Sequence, residues 1–371
     1  MESDNGGVVA RALADWAGSV SRYELVGPGS QRVSEEVSFR RHRDAVVRVL
    51  EDLTTASGAA AVGHRIVHGG DFSSSVRVTP AVRSGIEALA ELAPLHNPPG
   101  LETLAAAESA LPDVPHVAVF DTAFHTTLPA AAYTYPLPST WIHDFRIRRY
   151  GFHGLSHAYC AVRAGEMLGR EVAELRLIIC HLGHGCSACA VLQGRSVDTT
   201  MGFTPLDGLM MATRSGSVDP GIVTHVQQHH GLSAKDVETA LNHSAGLLGV
   251  SGISADMREV LSAVRTGDRR ARLAVEVYAH RVRQAIGALA VTLGGVDALV
   301  FTAGVGANSA EVRAASCRGL ECLGLELDPE ENARRRPDAD VASRGSRARI
   351  LVLNTREELA MLAEVVRVIA A

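Results

Sequence analysis

The chain has 371 residues and a mass of 39.2 kDa, a length typical of about two domains. Its net charge of −5 argues against a nucleic-acid-binding protein, and its single lysine, Lys235, excludes a Gly-Lys-Ser/Thr phosphate loop. No apolar run approaches the ~18 residues of a membrane span, and the first residues carry no signal-peptide pattern. We therefore expect a cytoplasmic protein that contacts neither a membrane nor nucleic acid.

The first third of the chain predicts helices alternating with strands. Apolar spacing indicates a helix over 44–53, a strand ending in a turn over 61–70, and a helix over 82–92. Residues 117–122 predict a short buried strand with Asp121 at its carboxyl end. In open α/β sheets this is the edge where ligands bind.

The rest of the chain continues this alternation. Residues 176–185 predict a strand that turns at Gly183-His184-Gly185 and returns over 186–192. A tight glycine turn points several backbone N–H groups the same way, which suits a phosphate group. Further strands are predicted from 298, leading into a helix at Ser309, and over 350–355 before a C-terminal helix. We interpret the arginine-rich stretch 334–349 as a solvated loop, and the alternation as an α/β fold.

Six cysteines are present, and two of them form the sequence Cys186-Ser-Ala-Cys189. A zinc site would require a second pair of ligands at a suitable spacing, and none is evident. The apolar run around these residues favours a strand with buried free thiols, with a metal or redox role as the alternative.

Ten short runs together resemble the acetate kinase family, which comprises acetate and propionate kinases. In family order they are GHRIVHGG (63–70), PLHNPP (94–99), FDTAFH (120–125), YGFHGLSH (150–157), HLGHG (181–185), DTTMGFTPLDG (198–208), MATRSG (211–216), SGISADMR (251–258), FTAGVGANS (301–309) and TREE (355–358). The resemblance implies an actin/hexokinase-like (ribonuclease H-like) α/β fold with two domains around a central cleft. It also implies that residues 1–122 and 357–371 form the first domain. Residues 123–356 then form a second domain for nucleotide binding and dimerisation.

The resemblance implies four catalytic residues. Arg65 holds the acetate carboxylate and Arg214 the transferring phosphoryl group, since the guanidinium fork suits both anions. His153 donates to the transition state. Asp121 orients the nucleophile or helps to hold magnesium, because acetate is already ionised at pH 7 and needs no general base. For each arginine the alternative is a surface ion pair, and for His153 a structural role in its loop.

The resemblance further implies binding sites for ATP/ADP and Mg²⁺ (or Mn²⁺). Glu357 corresponds to the magnesium ligand, in keeping with the few protein carboxylates that magnesium needs. The predicted nucleotide-binding residues are His181, Leu182, Gly183, His184, Gly185, Asp256, Met257, Arg258, Gly304, Val305, Gly306, Ala307 and Asn308. The predicted pocket for the acetate methyl group consists of Val67, Leu95, Phe152 and Pro205. One methylene is worth ~1–3 kcal/mol of discrimination, so acetate and propionate stay open as alternatives.

The sequence also departs from the family. The hairpin motif Asn-x-Gly-Ser-Ser-Ser-x-Lys, which opens family members and binds phosphate, does not occur in this sequence. We expect either a late start or a degraded relative, with lowered stability because neighbouring strands lose a partner. His184 replaces an asparagine, Ala307 a glutamate and Ser217 an aspartate near Arg214.

Three functions are therefore considered. The first is an acetate kinase, acting on acetate and ATP as a homodimer. The second is a propionate or other short-chain acyl kinase, and the third is a pseudoenzyme that binds nucleotide without turnover.

Overall fold

The computed structural model describes residues 7–15, 21–27, 32–53, 58–93, 96–334 and 336–371. The chain divides into two compact units: unit 1 holds Met1–Ala123 and Glu357–Ala371, and unit 2 holds Phe124–Arg356. Among the helices in the described ranges, none combines the length and apolar character needed to cross a bilayer.

Strands and helices are interspersed along the described residues. In chain order, the strands are β1 (Arg11–Asp15), β2 (Ser21–Val26), β3 (Arg32–Val37), β4 (Val62–Ile66), β5 (Val76–Arg77), β6 (His116–Phe120), β7 (Arg176–Leu182), β8 (Cys186–Leu192), β9 (Arg195–Thr199), β10 (Ala298–Thr302), β11 (Ala339–Asp340) and β12 (Arg349–Val352). The helices are α1 (His42–Asp52), α2 (Pro80–Glu87), α3 (Asn97–Ala110), α4 (Ala130–Tyr133), α5 (Ser139–His143), α6 (Gly154–Leu168), α7 (Pro220–His230), α8 (Ala234–Thr239), α9 (Gly246–Ser251), α10 (Met257–Arg265), α11 (Arg269–Thr292), α12 (Ala303–Asn308), α13 (Ala310–Cys317), α14 (Pro329–Arg334) and α15 (Glu357–Ala370).

Unit 1 contains two three-stranded sheets in its described part. The first is antiparallel, in the order β1-β2-β3, and the second has the order β4-β6-β5. Strands β4 and β6 are parallel, in a register that pairs Arg65 with Val119. Helix α15 packs directly on β4, as the closeness of Gly63 to Val365 shows: a Cβ at Gly63 would lie only 2.8 Å from Val365 Cγ2. A C-terminal helix thus completes a unit built from the N-terminal part of the chain.

Unit 2 is built on a six-stranded mixed sheet in the order β11-β12-β10-β7-β8-β9. Strands β7, β10 and β12 are parallel, and β8 returns antiparallel to β7. One face packs on α6, where Cys160 joins a cluster with Ile179 and Cys189. On the other face, Cys186 Sγ lies 3.1 Å from the Tyr278 hydroxyl of α11. Because both faces are covered, β7 is apolar along nearly its whole length.

Several predicted elements are confirmed and others are wrong in detail. The strands around 62–66, 116–120 and 176–192 are confirmed, as are the buried free thiols of Cys186 and Cys189. Burial raises the pKa of these two thiols to about 11 and about 12. The helix predicted over 82–92 begins earlier and ends at Glu87.

Two predictions are corrected. The strand predicted from 298 to 308 ends at Thr302, and Ala303–Asn308 form α12. The helix start predicted at Ser309 is confirmed, because Ser309 Oγ accepts from Val312 N at the start of α13. The stretch 334–349 is not simply a solvated loop, because β11 pairs with β12 and the adjoining Val341 is fully buried. Arg349 Nε donates to Asp340 Oδ2 at 2.6 Å, so the charge of this arginine is paired with a carboxylate within the stretch.

Candidate active site

Unit 1 brings together an arginine and two carboxylates. Arg65 lies near the end of β4, and Asp121 directly follows the parallel strand β6. Arg65 donates to both Asp121 oxygens, with Nε–Oδ1 at 3.0 Å and Nη2–Oδ2 at 2.7 Å. Its Nη1 lies 3.5 Å from Glu357 Oε2 at the start of α15. The sequence separates these residues widely, and the parallel register of the two strands brings the first pair together.

The three charges influence one another. Burial alone would lower the pKa of Arg65, but Asp121 and Glu357 hold it above its usual value. Burial raises the pKa of Glu357, Arg65 opposes this, and Asp121 and Glu358 add to it. The Asp121 side chain is 2% exposed, while that of Arg65 is 41% exposed. The Arg65 guanidinium is therefore held between two carboxylates, and part of it stays open to solvent.

In unit 2, His153 is carried by a strained turn immediately before α6. His153 has φ 58, a left-handed conformation that non-glycine residues rarely adopt. Gly151, two residues earlier, has φ +76, and a Cβ there would lie 2.6 Å from the His125 ring. His125 is fully buried, and its Nε2 donates to the Phe152 carbonyl at 3.0 Å. Strain held by a buried contact of this kind is a feature of functional sites.

Buried serines contact the histidines of this region. Ser187 Oγ lies 2.9 Å from His153 Nδ1 and 2.8 Å from His157 Nε2. Ser156 Oγ lies 2.8 Å from His181 Nδ1. The rings of His153 and His181 stack, with centroids 4.1 Å apart and planes 21° apart. His153 is therefore held by a hydroxyl and by a second aromatic ring.

The predicted phosphate turn joins β7 and β8. Gly183 N donates to Gly185 O at 3.0 Å, which closes the turn. A Cβ at Gly185 would lie 3.3 Å from His153 Nε2 and 3.8 Å from Arg214 Nη1. The histidine and the arginine therefore both border the glycine turn, and all three belong to unit 2.

Arg214 differs from Arg65 in its charge environment. Within the described residues no carboxylate forms an ion pair with Arg214, whose Nη1 instead contacts Met211 Sδ at 4.0 Å. Burial lowers the pKa of Arg214, and burial together with Arg214 lowers the pKa of His184. Ser217, at the position of the family's aspartate, bonds to Asp207 and accepts from Gly208 N. A partly buried cation without a carboxylate partner favours an anionic ligand.

The other predicted nucleotide-binding residues lie at two helices. Gly304 to Asn308 form most of α12, where Arg313 donates to the Gly306 and Ala307 carbonyls at 3.0 and 2.9 Å. This buried arginine gives hydrogen bonds to carbonyls that lack a partner at the end of a helix, and so supports the helical form of the glycine-rich segment. Asp256 caps α10 by accepting from Arg258 N at 2.8 Å, and Met257 is buried.

The predicted methyl-group pocket is only partly described. Phe152 is 1% exposed, and Pro205 is half-buried in the same unit. Val67 is half-buried in unit 1, just after β4. Leu95 lies outside the described residues. The roles of these residues stay predictions.

Sequence reasoning did not single out Ser187, His157 or His125 as functional. One signal was available, because His153 and His157 are four residues apart at the start of a helix and share a face. Ser187 carried no such signal, since its contact with His153 spans 34 residues of sequence.

Comparisons with known proteins agree on one family. The family model described as "Acetokinase family" matches residues 1–364. Acetate kinase of Gloeobacter violaceus is 55% identical over 305 residues, covering 82% of this chain and 75% of that protein. Acetate kinase of Carboxydothermus hydrogenoformans is 44% identical over 379 positions, covering 100% of this chain and 95% of that protein.

Solved structures show the same relationship. Porphyromonas gingivalis acetate kinase has a TM-score of 0.93 and 38% identity, covering 100% of this chain and 95% of that chain. A propionate kinase from Francisella tularensis has a TM-score of 0.92 and 36% identity, covering 98% and 94%. The predicted fold class is confirmed, and these likenesses define the protein as a phosphotransferase. The chain belongs to the acetokinase family.

Proposed function

We propose that this chain is an acetate kinase, which transfers the γ-phosphoryl group of ATP to acetate and gives acetyl phosphate and ADP reversibly. The observation that carries the proposal is the arrangement of Arg214 and His153 at the glycine turn. Arg214 has no carboxylate partner among the described residues, and His153 Nε2 borders the same glycine. Phosphoryl transfer depends on positioning and on neutralising oxygens that share charge, which two such groups supply. The family's acetate kinases support the choice of acceptor.

Each side chain has a proposed role. Arg214 binds the transferring phosphoryl group and His153 donates to its oxygens. Arg65 binds the acetate carboxylate through the part of its guanidinium that faces solvent. Asp121 keeps Arg65 in that orientation through their bidentate hydrogen bonds.

The residues present fit a magnesium ion that takes few ligands from the protein. Asp121 and Glu357 offer hard carboxylate oxygens on either side of one arginine. The described residues contain no group of three or more histidine, cysteine or acidic side chains arranged to hold a metal alone. Magnesium commonly completes its shell with water and phosphate oxygens, so this is a suitable donor set. The bound ion would neutralise phosphate charge, and Glu357 would hold it.

The nucleotide is proposed to bind unit 2. The Gly183–Gly185 turn presents backbone groups next to Arg214 and His153, which suits the phosphates. Asp256 to Arg258 and Gly304 to Asn308 are proposed to flank the adenosine.

Propionate is the alternative acceptor, favoured by the likeness to the Francisella tularensis propionate kinase. The proposed methyl-group pocket consists of Val67, Leu95, Phe152 and Pro205. A series of carboxylates of increasing length separates the two candidates through their kcat/KM values.

We also propose that the chain forms a homodimer through the surface around α7. This helix has no buried residue. Its Ile222 is 51% exposed, and the flanking Val218 and Leu232 are 38% and 39% exposed. Exposed apolar residues on and beside a helix without buried residues suit an interface. A cytoplasmic location is proposed as well.

The proposed function is tested by trapping acetyl phosphate as its hydroxamate in a reaction of the full chain with ATP, magnesium and acetate. We expect turnover, and we expect Arg214→Ala to lower kcat by about a thousandfold or more, as for other arginines that bind a transferring phosphoryl group. ATP affinity should stay within about threefold of the wild type, since the rest of the turn is intact.

The matched control is Arg344→Ala, which removes an exposed arginine of the same unit. Near-normal kcat in Arg214→Ala would remove that residue from its role. ATP binding without acyl phosphate from any short-chain carboxylate would show a pseudoenzyme instead.

A further inference from the structure

Ser187 lies behind the proposed catalytic histidine and is shared by two imidazole rings. Its Oγ is within hydrogen-bond distance of His153 Nδ1 (2.9 Å) and His157 Nε2 (2.8 Å). Ser187 and His157 are both 0% exposed. A serine hydroxyl has one proton and two lone pairs, so it can donate a hydrogen bond to only one of these nitrogens and accept one from the other.

The environment of His157 decides which way the proton points. Burial, with His125 and His181 nearby, lowers the pKa of His157 well below its usual value, so the ring is neutral at pH 7. Its other nitrogen, Nδ1, is buried and has no hydrogen-bond partner in the described part of the chain. If Nδ1 carried the proton, an N–H group would be buried without an acceptor, which is rare in folded proteins. The proton of His157 is therefore on Nε2.

The remaining tautomers follow from this assignment. His157 Nε2–H donates to Ser187 Oγ, and the Ser187 hydroxyl donates to His153 Nδ1. Neutral His153 then carries its proton on Nε2, the nitrogen 3.3 Å from the Cβ position of Gly185. The same position lies 3.8 Å from Arg214 Nη1.

We propose that Ser187 and His157 are positioning residues that fix His153 as an Nε2–H donor directed at the Gly183–Gly185 turn. This inference rests on the proposed function, since it gives His153 the form needed to donate to a phosphoryl oxygen. The ring is held as well, because Ser187 anchors one edge and His181 stacks on its face at 4.1 Å. A neutral donor formed before the substrate binds needs no rearrangement during transfer.

A second buried pair fixes the backbone that carries this ring. His125 Nε2–H must donate to the Phe152 carbonyl, so its Nδ1 accepts from the Ser196 hydroxyl at 2.8 Å. This hydrogen bond holds the residue before His153 in place, next to the left-handed turn. The side chain and the backbone of His153 are therefore positioned by separate contacts, and Ser187 acts on the side chain alone.

The experiment compares Ser187→Ala and Ser187→Thr in the full chain. Ser187→Ala should lower kcat for acyl phosphate formation by about tenfold to a hundredfold, with the KM for ATP within about twofold. Ser187→Thr keeps the hydroxyl and should restore kcat to within about threefold of the wild type. The control is Ser316→Ala, since Ser316 is fully buried and its hydroxyl has no partner among the described residues.

A spectroscopic readout separates positioning from stability. In a chain labelled with ¹⁵N-histidine, long-range ¹H–¹⁵N spectra report which ring nitrogen is protonated, and His153→Gln assigns the His153 signals. We expect Nε2–H in the wild type and in Ser187→Thr, and a mixture of tautomers in Ser187→Ala.

An Nδ1–H form of His153 in the wild type would overturn the inference, even if Ser187→Ala does not fold. So would a folded Ser187→Ala variant with wild-type kcat and an unchanged tautomer. If the wild type forms no acyl phosphate, the proposed function fails, but the spectrum still decides the tautomer.

Discussion

At the residue scale, the two arginines proposed to bind the substrates differ in their partners. Arg65 is bound on both sides of its guanidinium by Asp121 and Glu357. Arg214 has a sulfur contact and no carboxylate partner in the described ranges. Arg65 is therefore already oriented in a network of fixed charge, whereas Arg214 is available to an anion. The sequence left an ion pair as the alternative for each arginine, and the described residues contain one for Arg65 and none for Arg214.

A buried histidine pair in unit 1 has its tautomers fixed by a carbonyl. His116 Nε2–H donates to Leu111 O at 3.0 Å, so its Nδ1 accepts from His64 Nε2–H at 2.8 Å. Burial, His116 and Arg83 lower the pKa of His64 to about 4. The unfolded chain binds this proton near pH 6.5, so acid favours unfolding over the interval between the two values.

We predict that His64 makes the free energy of unfolding fall as the pH drops from about 6.5 to about 4. The expected contribution is about 2 kcal/mol between pH 7 and pH 5. His64→Gln, whose amide can also donate to His116, should reduce this difference by that amount in urea denaturation at the two pH values. The control is His143→Gln, which changes an exposed histidine. An unchanged pH difference in His64→Gln would contradict the assignment.

The sequence indicated which residues belong to the candidate site, but it did not indicate all of their contacts. The sequence indicated Arg65, Asp121 and Glu357 as a functional set, and the structure brings their side chains together. It indicated His153 but not Ser187, because a serine in an apolar strand has no local signal of function. Which hydroxyl meets which imidazole depends on how α6 lies on the sheet.

At the element scale, the segment after β9 is held by side chains. Residues 200–217 carry both Pro205 and Arg214 and contain no regular helix or strand. Arg149 Nη1 lies 3.0 Å from each of the Thr199, Thr200 and Met201 carbonyls, which share its protons. One guanidinium therefore satisfies backbone groups that a sheet would otherwise satisfy.

We predict that Arg149→Met destabilises the chain by about 2–4 kcal/mol, because buried carbonyls lose hydrogen bonds from a charged donor. Urea denaturation at pH 7 measures this loss, with Arg344→Met as the matched control on an exposed arginine. If Arg149→Met unfolds at the wild-type urea concentration, the segment is held by other contacts.

Elements with strong local patterns were predicted well. The apolar runs predicted β6, β7 and β8. The glycine turn predicted the connection between β7 and β8. The existence of α12 and β11 could not be predicted, since each depends on a contact with residues outside the element itself. Arg313 closes α12, and β12 pairs with β11.

At the scale of the whole molecule, the surface around α7 is the one proposed here for assembly. Ile222 is 51% exposed on a helix without buried residues. The flanking Val218 and Leu232 are exposed as well, at 38% and 39%. Neighbouring exposed apolar side chains of this kind suit an interface.

We predict that the wild type is a dimer in solution and that Ile222→Asp shifts it toward the monomer, because a charge would be buried without a partner. Sedimentation velocity over a concentration series measures the change. Val291→Asp is the control, since Val291 is 80% exposed on α11 and should leave the association unchanged. A monomeric wild type, or a dimeric Ile222→Asp variant, would contradict the proposed interface.

The sequence by itself determined the α/β class, the strand that ends in the glycine turn, and the family with its set of candidate residues. These follow from apolar periodicity and from short motifs, which are local properties of the chain. Only the tertiary structure decided that Asp121 orients Arg65, that Arg214 lacks a carboxylate partner in the described residues, and that Ser187 joins His153 to His157. Such pairings span 30 to 56 residues of sequence. Periodicity specifies which face a residue occupies, whereas the packing of helices on sheets specifies what it meets there.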